Sequence, residues 1–153
     1  MVQTGNNSKS ELTDALNGLL ADCYTLFLKT KNFHWHVSGP HFREYHLLFD
    51  DHAAEIFAIT DLIAERVRKN GHAALTSIGS ITAQQTIKDH DDISTSAQDM
   101  LSILAQDNKA LVSKIREVKD LAAAAGDNAT DGMADDWTDE AEQRIWFLTQ
   151  SAT

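Results

Sequence analysis

One proline, one cysteine and seven glycines among 153 residues leave little to interrupt or staple this chain. Pro40 alone lacks a backbone N–H, so long stretches of good helix formers run on without a forced break, and no segment sustains the period-two alternation of a half-buried strand. The lone thiol, Cys23, cannot close an internal disulfide. It sits on an apolar helical face, where a small core residue is its plainest role, and its solitude fits a reducing compartment. No apolar run approaches the ~18 to 20 residues of a membrane-spanning helix. The opening MVQTGNNSKSELTD has neither the apolar centre of a secretion signal nor an Arg-rich transit pattern, so a cytoplasmic protein is expected. Basic residues are scarce too. Lys and Arg number 13 against 23 Asp and Glu, a net charge of -10, which weighs against a broad phosphate-binding surface and favours attraction of cations.

What is present reads as helix. Hydrophobic residues make up 42% and charged residues 24%, at a length that suits a single domain over residues 1–153, with residues 1–8 as a flexible N-terminal tail. A first helix is predicted from near Ser8 or Ser10, carrying Leu12, Leu16, Leu19, Leu20, Cys23, Tyr24 and Phe27 at three- and four-residue steps until Val37-Ser38-Gly39-Pro40 breaks it. A second runs from about His41 to Asn70, stopped by Gly71. GHAALTSIGSITAQQTIKDHDD is a long connection with a short helix around Ile81 to Ile87. A third long helix spans roughly Ile93 to Ala125 and a fourth about Thr130 to Leu148. Two short connections and one long one between four long helices predict an all-α, ferritin-like four-helix bundle whose middle pair is joined by a crossover bearing the short extra helix.

The stretch FHWHVSGPHFREYHLLFDDHAAEIFAITDLIAERV, residues 33–67, holds five of the seven histidines. Within it His46 with Asp50, and Asp61 with Glu65, each stand four residues apart and so share a helix face. At ~100° per residue, Tyr45, Phe49, His52, Ile56, Ile59, Ile63 and Val67 form one stripe ~100° wide that should enter the chain's own core. The two pairs fall on another face, centred ~140° away, with Ala53, Ala54 and Phe57 between them. An intrahelical di-iron site needs inward-facing Glu-x-x-His motifs, and this sequence has none. The pair midpoints lie ~22 Å apart along one helix, too far for one ion. Two copies of the helix packed antiparallel about a two-fold near residues 55 and 56 would bring His46 and Asp50 of one against Asp61 and Glu65 of the other, making two equal sites. Singly, each pair is more often a solvated surface feature. Together their spacing asks for a dimer. With His34 added, the set holds two imidazoles and three carboxylates, which suits iron, with manganese or zinc admissible by ligand type.

KTKNFHWHVSGPHFREYHLLFDDHAAEIFAITDLIAERVRK, residues 29–69, resembles the signature region of the Dps family, the DNA-binding proteins from starved cells, which are small relatives of ferritin. The resemblance implies a hollow homododecameric shell that oxidises Fe(II), preferably with hydrogen peroxide, stores Fe(III) as mineral and so protects against oxidative stress in stationary phase. It implies an iron site at each two-fold interface, with His34, His46 and Asp50 from one subunit and Asp61 and Glu65 from its neighbour. Trp35 matches a tryptophan beside the family's site that can donate an electron or trap a radical; helix-end packing is its plainer role. Lys31 stands near His34, either hydrogen-bonded to the site or, as the bland reading favours, solvated. His36 and His41 match no ligand position and read as loop-proximal polar groups, His52 as a core or interface histidine.

By the same resemblance, acids at the start of the fourth long helix line pores at three-fold axes. Asp127 and Asp131 are the candidates here, although helix capping explains them equally well. Asp135, Asp136, Asp139 and Glu140 follow, facing solvent or the cavity. The sequence departs from the family's DNA-binding pattern: residues 1–10 contain only Lys9 as a basic residue and the chain closes on TQSAT, so DNA binding is expected to be weak or absent, with nucleoid association left open.

Overall fold

The computed structural model describes residues 3–153, with side chains from residue 7 onward. Five helices follow in order: α1 (Gln3–His36), α2 (Phe42–Lys69), α3 (Ile78–Gln84), α4 (Ala97–Ala125) and α5 (Asn128–Ser151). The described residues contain no strand. α1 packs along α2 and α4 along α5, the two hairpins meet through α1 and α4, and α3 lies against α1. α2 and α5 approach at few points.

The expected stripe of α2 is the observed one, since Tyr45, Phe49, His52, Ile56, Ile59, Ile63 and Val67 are all buried. All of these but His52 meet Leu16, Leu19 and Cys23 of α1, Leu104, Leu111 and Ile115 of α4, and Trp137 and Leu148 of α5 in one apolar cluster. Each large side chain so enclosed contributes roughly 1.5–3 kcal/mol. Gly126 ends α4 at φ 73, in the left-handed region where a Cβ is strained.

Helix ends depart from expectation for identifiable reasons. α1 starts at Gln3 rather than near Ser8 or Ser10, so most of the expected flexible tail is helical, while residues 1 and 2 lie outside the described residues. The early residues are polar and carry no apolar stripe, so the hydrophobic period that located the rest of α1 is silent there. α3 begins at Ile78, three residues earlier than predicted, because Ser77 and Ser80 form a reciprocal capping box. α4 begins at Ala97 and not Ile93, because the Asp92 carboxylate accepts from Ser94 N at 2.9 Å and Ser94 Oγ at 2.6 Å, holding a turn, and Ser96 then caps the helix. α5 extends to Ser151.

Polar side chains of α1 pin the crossover. Asp22, wholly buried, accepts from Thr86 N and Thr86 Oγ1, both at 2.7 Å, and from Ile87 N at 2.9 Å, with Lys114 Nζ at 3.6 Å. Lys29 donates to the Lys88 carbonyl at 2.9 Å and pairs with Asp107 at 2.7 Å. Asn17 and Asn32 donate to the carbonyls of Ala73 and His90. The crossover therefore lies fixed on α1, leaving the outward face of α2 uncovered.

Candidate metal centre

The short reversal between α1 and α2 sets the end of one helix against the start of the next. There His34 and His46 make reciprocal contacts: His34 Nδ1 lies 2.5 Å from the His46 carbonyl oxygen, and His46 Nδ1 2.6 Å from that of His34. Their rings stack at 3.8 Å and 14°, and Phe42 covers the other ring at 5.0 Å. A carbonyl oxygen only accepts, so both Nδ1 atoms carry hydrogen and donate. In a neutral imidazole that leaves a bare lone pair on Nε2, the tautomer and orientation a metal ligand needs.

Asp50, two turns into α2, joins them, with Oδ1 3.8 Å from His34 Nε2. The same oxygen accepts from Lys31 Nζ at 2.7 Å, so Lys31 is not the solvated lysine the bland reading favoured: it grips the candidate ligand. That hydrogen bond, foremost, holds the Asp50 carboxyl below its ordinary pKa. Lys31 Nζ also lies 5.9 Å from the ring of Trp35, whose side chain is 57% exposed, so helix-end packing accounts for little of it.

Asp61 and Glu65 stand elsewhere, exposed on α2, with Asp61 eleven positions, ~16 Å of helix, beyond Asp50. Glu65 makes only a loose pair with Lys69 at 3.9 Å. Among the described residues no three His, Cys, Asp or Glu side chains of one chain converge to hold a metal ion. The structure thus gathers His34, His46 and Asp50 and leaves Asp61 and Glu65 apart. The strip between is apolar and includes Ala54 and Phe57 of the three residues expected there. Ala53 is fully buried, while Leu47, Ala54, Phe57, Ala58 and Leu62 are exposed. Phe57 rests against Phe27 at 5.0 Å, and a groove of about 640 Å³ beside it is lined by Tyr24, Phe57, Asp61 and Ile78.

The acids at the start of α5 are engaged within the chain. Asp127 caps the helix and accepts from Arg66 at 2.6 Å and Asn70 at 2.9 Å. Burial alone would raise its pKa, but the hydrogen bonds from Asn70, Thr130 and Arg66 outweigh it and hold the carboxyl far below the usual range. Asp131 and Asp135 share Lys119. Capping and pairing are what these residues display. Of the remaining histidines, His36 and His41 are exposed, whereas His52 is buried and burial pushes its pKa down to about 4. Sequence reading missed the reciprocal carbonyl bonds, and it ranked a hydrogen bond from Lys31 to the site below a solvated lysine. The spacing of Lys31 from His34 was the one available signal.

Comparison with known proteins identifies the chain's relatives. The model of the ferritin-like domain matches residues 13–152. A DNA protection during starvation protein of Brevibacillus brevis is 32% identical over 133 residues, 87% of this chain and 89% of that protein. A low temperature-induced protein of Nostoc sp. is 36% identical over 147 residues, 94% of this chain and 80% of its own length. Among solved structures, a Dps protein from Bacillus brevis superposes with a TM-score of 0.91 at 28% identity, covering 96% of this chain and 98% of that one. A DPS protein from Vibrio cholerae, described as a member of a broad superfamily of ferritin-like diiron-carboxylate proteins, gives 0.90 at 26%, covering 96% and 92%.

Proposed function

Because the chain belongs to the ferritin-like proteins and, within them, to the Dps family, we propose that it is an iron-storage and detoxification protein whose substrate is Fe(II). The observation that carries this reading is the pair of imidazoles whose Nδ1 atoms are both spent on carbonyl oxygens, leaving two Nε2 lone pairs beside the Asp50 carboxylate. His34, His46 and Asp50 of one chain and Asp61 and Glu65 of a second form the iron site, closed when two α2 helices pack antiparallel through the exposed strip around Phe57. Carboxylates gathered around iron stabilise the higher oxidation state, so the site favours oxidation.

The preferred oxidant in this reading is hydrogen peroxide. Two Fe(II) ions give one electron each to a single peroxide, whose O–O bond breaks. With two water molecules the products are two ferric oxyhydroxide units and four protons. Asp50, Asp61 and Glu65 bind and orient the ion, His34 and His46 complete its coordination, and Trp35 stands by as a one-electron donor or radical trap. The ferric product is stored as mineral inside a hollow shell of twelve such chains in the cytoplasm. A net charge of -10 leaves DNA contact weak or absent, so protection is chemical. Strong retarded bands in a gel shift at moderate salt would contradict that part. Iron entry past Asp127 and Asp131 requires the bonds to Arg66 and Lys119 to open.

The test of the reading is Fe(II) added without oxygen, followed by peroxide, with ferric absorbance recorded. The H46A/D50A variant is expected to lose initial rate on the order of a hundredfold. Unchanged kinetics would remove these residues from the reaction.

A further inference from the structure

The sequence contains two Asn-Gly steps, Asn17-Gly18 and Asn70-Gly71, and the fold places them in opposite settings. An asparagine followed by glycine is the pair most open to spontaneous deamidation, because no Cβ hinders the glycine nitrogen from reaching the asparagine side chain. Asn17 lies inside α1, 8% exposed, with Nδ2 donating to the Ala73 carbonyl at 3.0 Å. Ring closure there requires the middle of a packed helix to open. Asn70 instead caps the C-terminus of α2, and Gly71 follows at φ 86, exposed, with open space where a Cβ would stand. Two hydrogen bonds hold this second step closed. Asn70 Nδ2 donates to Oδ2 of Asp127, the residue that caps α5, at 2.9 Å, and Gly71 N donates to the Arg68 carbonyl at 3.0 Å. A helix end opens at far lower cost than a helix interior.

We propose that Asn70-Gly71 is a spontaneous modification site, where a one-way deamidation turns the clasp between the end of α2 and the start of α5 into a repulsion. When the turn opens, Gly71 N gives up its proton to hydroxide and attacks Asn70 Cγ. A C–N bond forms, the Cγ–Nδ2 bond breaks, and the side-chain nitrogen leaves as ammonia. Water then opens the succinimide ring at either carbonyl, giving aspartate or isoaspartate, so the net change is one water taken up and one ammonia released. The consequence follows from the partner. Asp127 Oδ2 now accepts from an amide; after the reaction it faces a second carboxylate, losing a hydrogen bond and gaining a like charge. Arg66, at 2.6 Å, and the Thr130 backbone, at 3.1 Å, remain to Asp127. Isoaspartate also lengthens the backbone by a methylene where α2 hands over to the crossover. The junction of α2 with α5 therefore loosens as the protein ages, while the Asn17 step stays intact.

The test is timed peptide mapping by mass spectrometry on the full chain, incubated at mildly alkaline pH either folded or in urea. In urea both asparagines should convert at similar rates. In the folded chain Asn70 should convert about ten- to hundredfold more slowly than in urea, the cost of opening a charge-assisted hydrogen bond at a helix end. Asn17 should be slowed by more than about a thousandfold, since it waits for the core to open. The aged fraction and the Asn70→Asp variant should both melt about 3–6 °C below fresh protein. Asn70→Gln, whose longer side chain closes the ring far more slowly, should keep its own Tm through the same incubation. Folded protein in which Asn70 stays as intact as Asn17, or in which both convert equally, would overturn the proposal, as would an Asn70→Asp variant that melts with the parent.

Discussion

Replacing His52 with leucine separates a buried imidazole's effect on stability from that of every surface charge. His52 is 4% exposed, beside the fixed charge of Arg144, and burial foremost lowers its pKa from 6.5 to about 4. The folded chain therefore keeps this ring neutral where the unfolded chain protonates it, and stability is lost as pH falls from 6.5 toward 4. At pH 4.5 the unfolded state is favoured by about 2.5 kcal/mol through this group alone, at 1.36 kcal/mol per pH unit over most of the interval. At pH 7 the term is close to zero, and the unpaired Nδ1 means that leucine costs little or even stabilises. Urea unfolding of parent and His52→Leu in chelator, at pH 7 and pH 4.5, reads the difference. The variant should resist acid better by about 2.5 kcal/mol, with other carboxylate effects common to both. Parallel pH profiles for the two proteins would refute the reasoning.

Two further perturbations probe the elements that position the site. Asp22→Ala releases the crossover from α1 and leaves Lys114 and two backbone N–H groups short of their acceptor; a loss of about 3–5 kcal/mol in chemical unfolding is expected, and a loss under about 1 kcal/mol would mean that the crossover is held by other contacts. Lys31→Met removes the ammonium that iron must displace from Asp50. That pair is half exposed and so worth about 0.2–1 kcal/mol, and Fe(II) affinity measured by anaerobic titration should tighten by up to about fivefold, whereas weaker binding would show Lys31 supporting the ligand set.

The buried stripe of α2 was legible because a 3.6-residue period is written directly into the order of Tyr45, Phe49, Ile56 and Ile63, and the pairs His46/Asp50 and Asp61/Glu65 because a step of four is equally local. The helix starts were less legible, since Asp92 and Ser77 decide them through side-chain bonds that compete with helix. Least legible were features made by distant parts of the chain. The His34 and His46 tautomers depend on backbone oxygens across a reversal, Asp127 is consumed by Arg66 from another helix, and Ala53 turns inward although its neighbours Ala54 and Phe57 do not. Arg144 carried no signal at all, because a buried arginine follows no apolar period.

The most direct measurement of whether two chains share one iron site is complementation. H46A/D50A chains and D61A/E65A chains, each inactive alone, are unfolded together in equal amounts and reassembled, and ferric absorbance is followed after Fe(II) and peroxide. If each site takes its ligands from two chains, half of the pairs are mixed and one of the two sites in each is whole, so about a quarter of the parental activity returns. A mixture as inactive as its components would contradict the shared site.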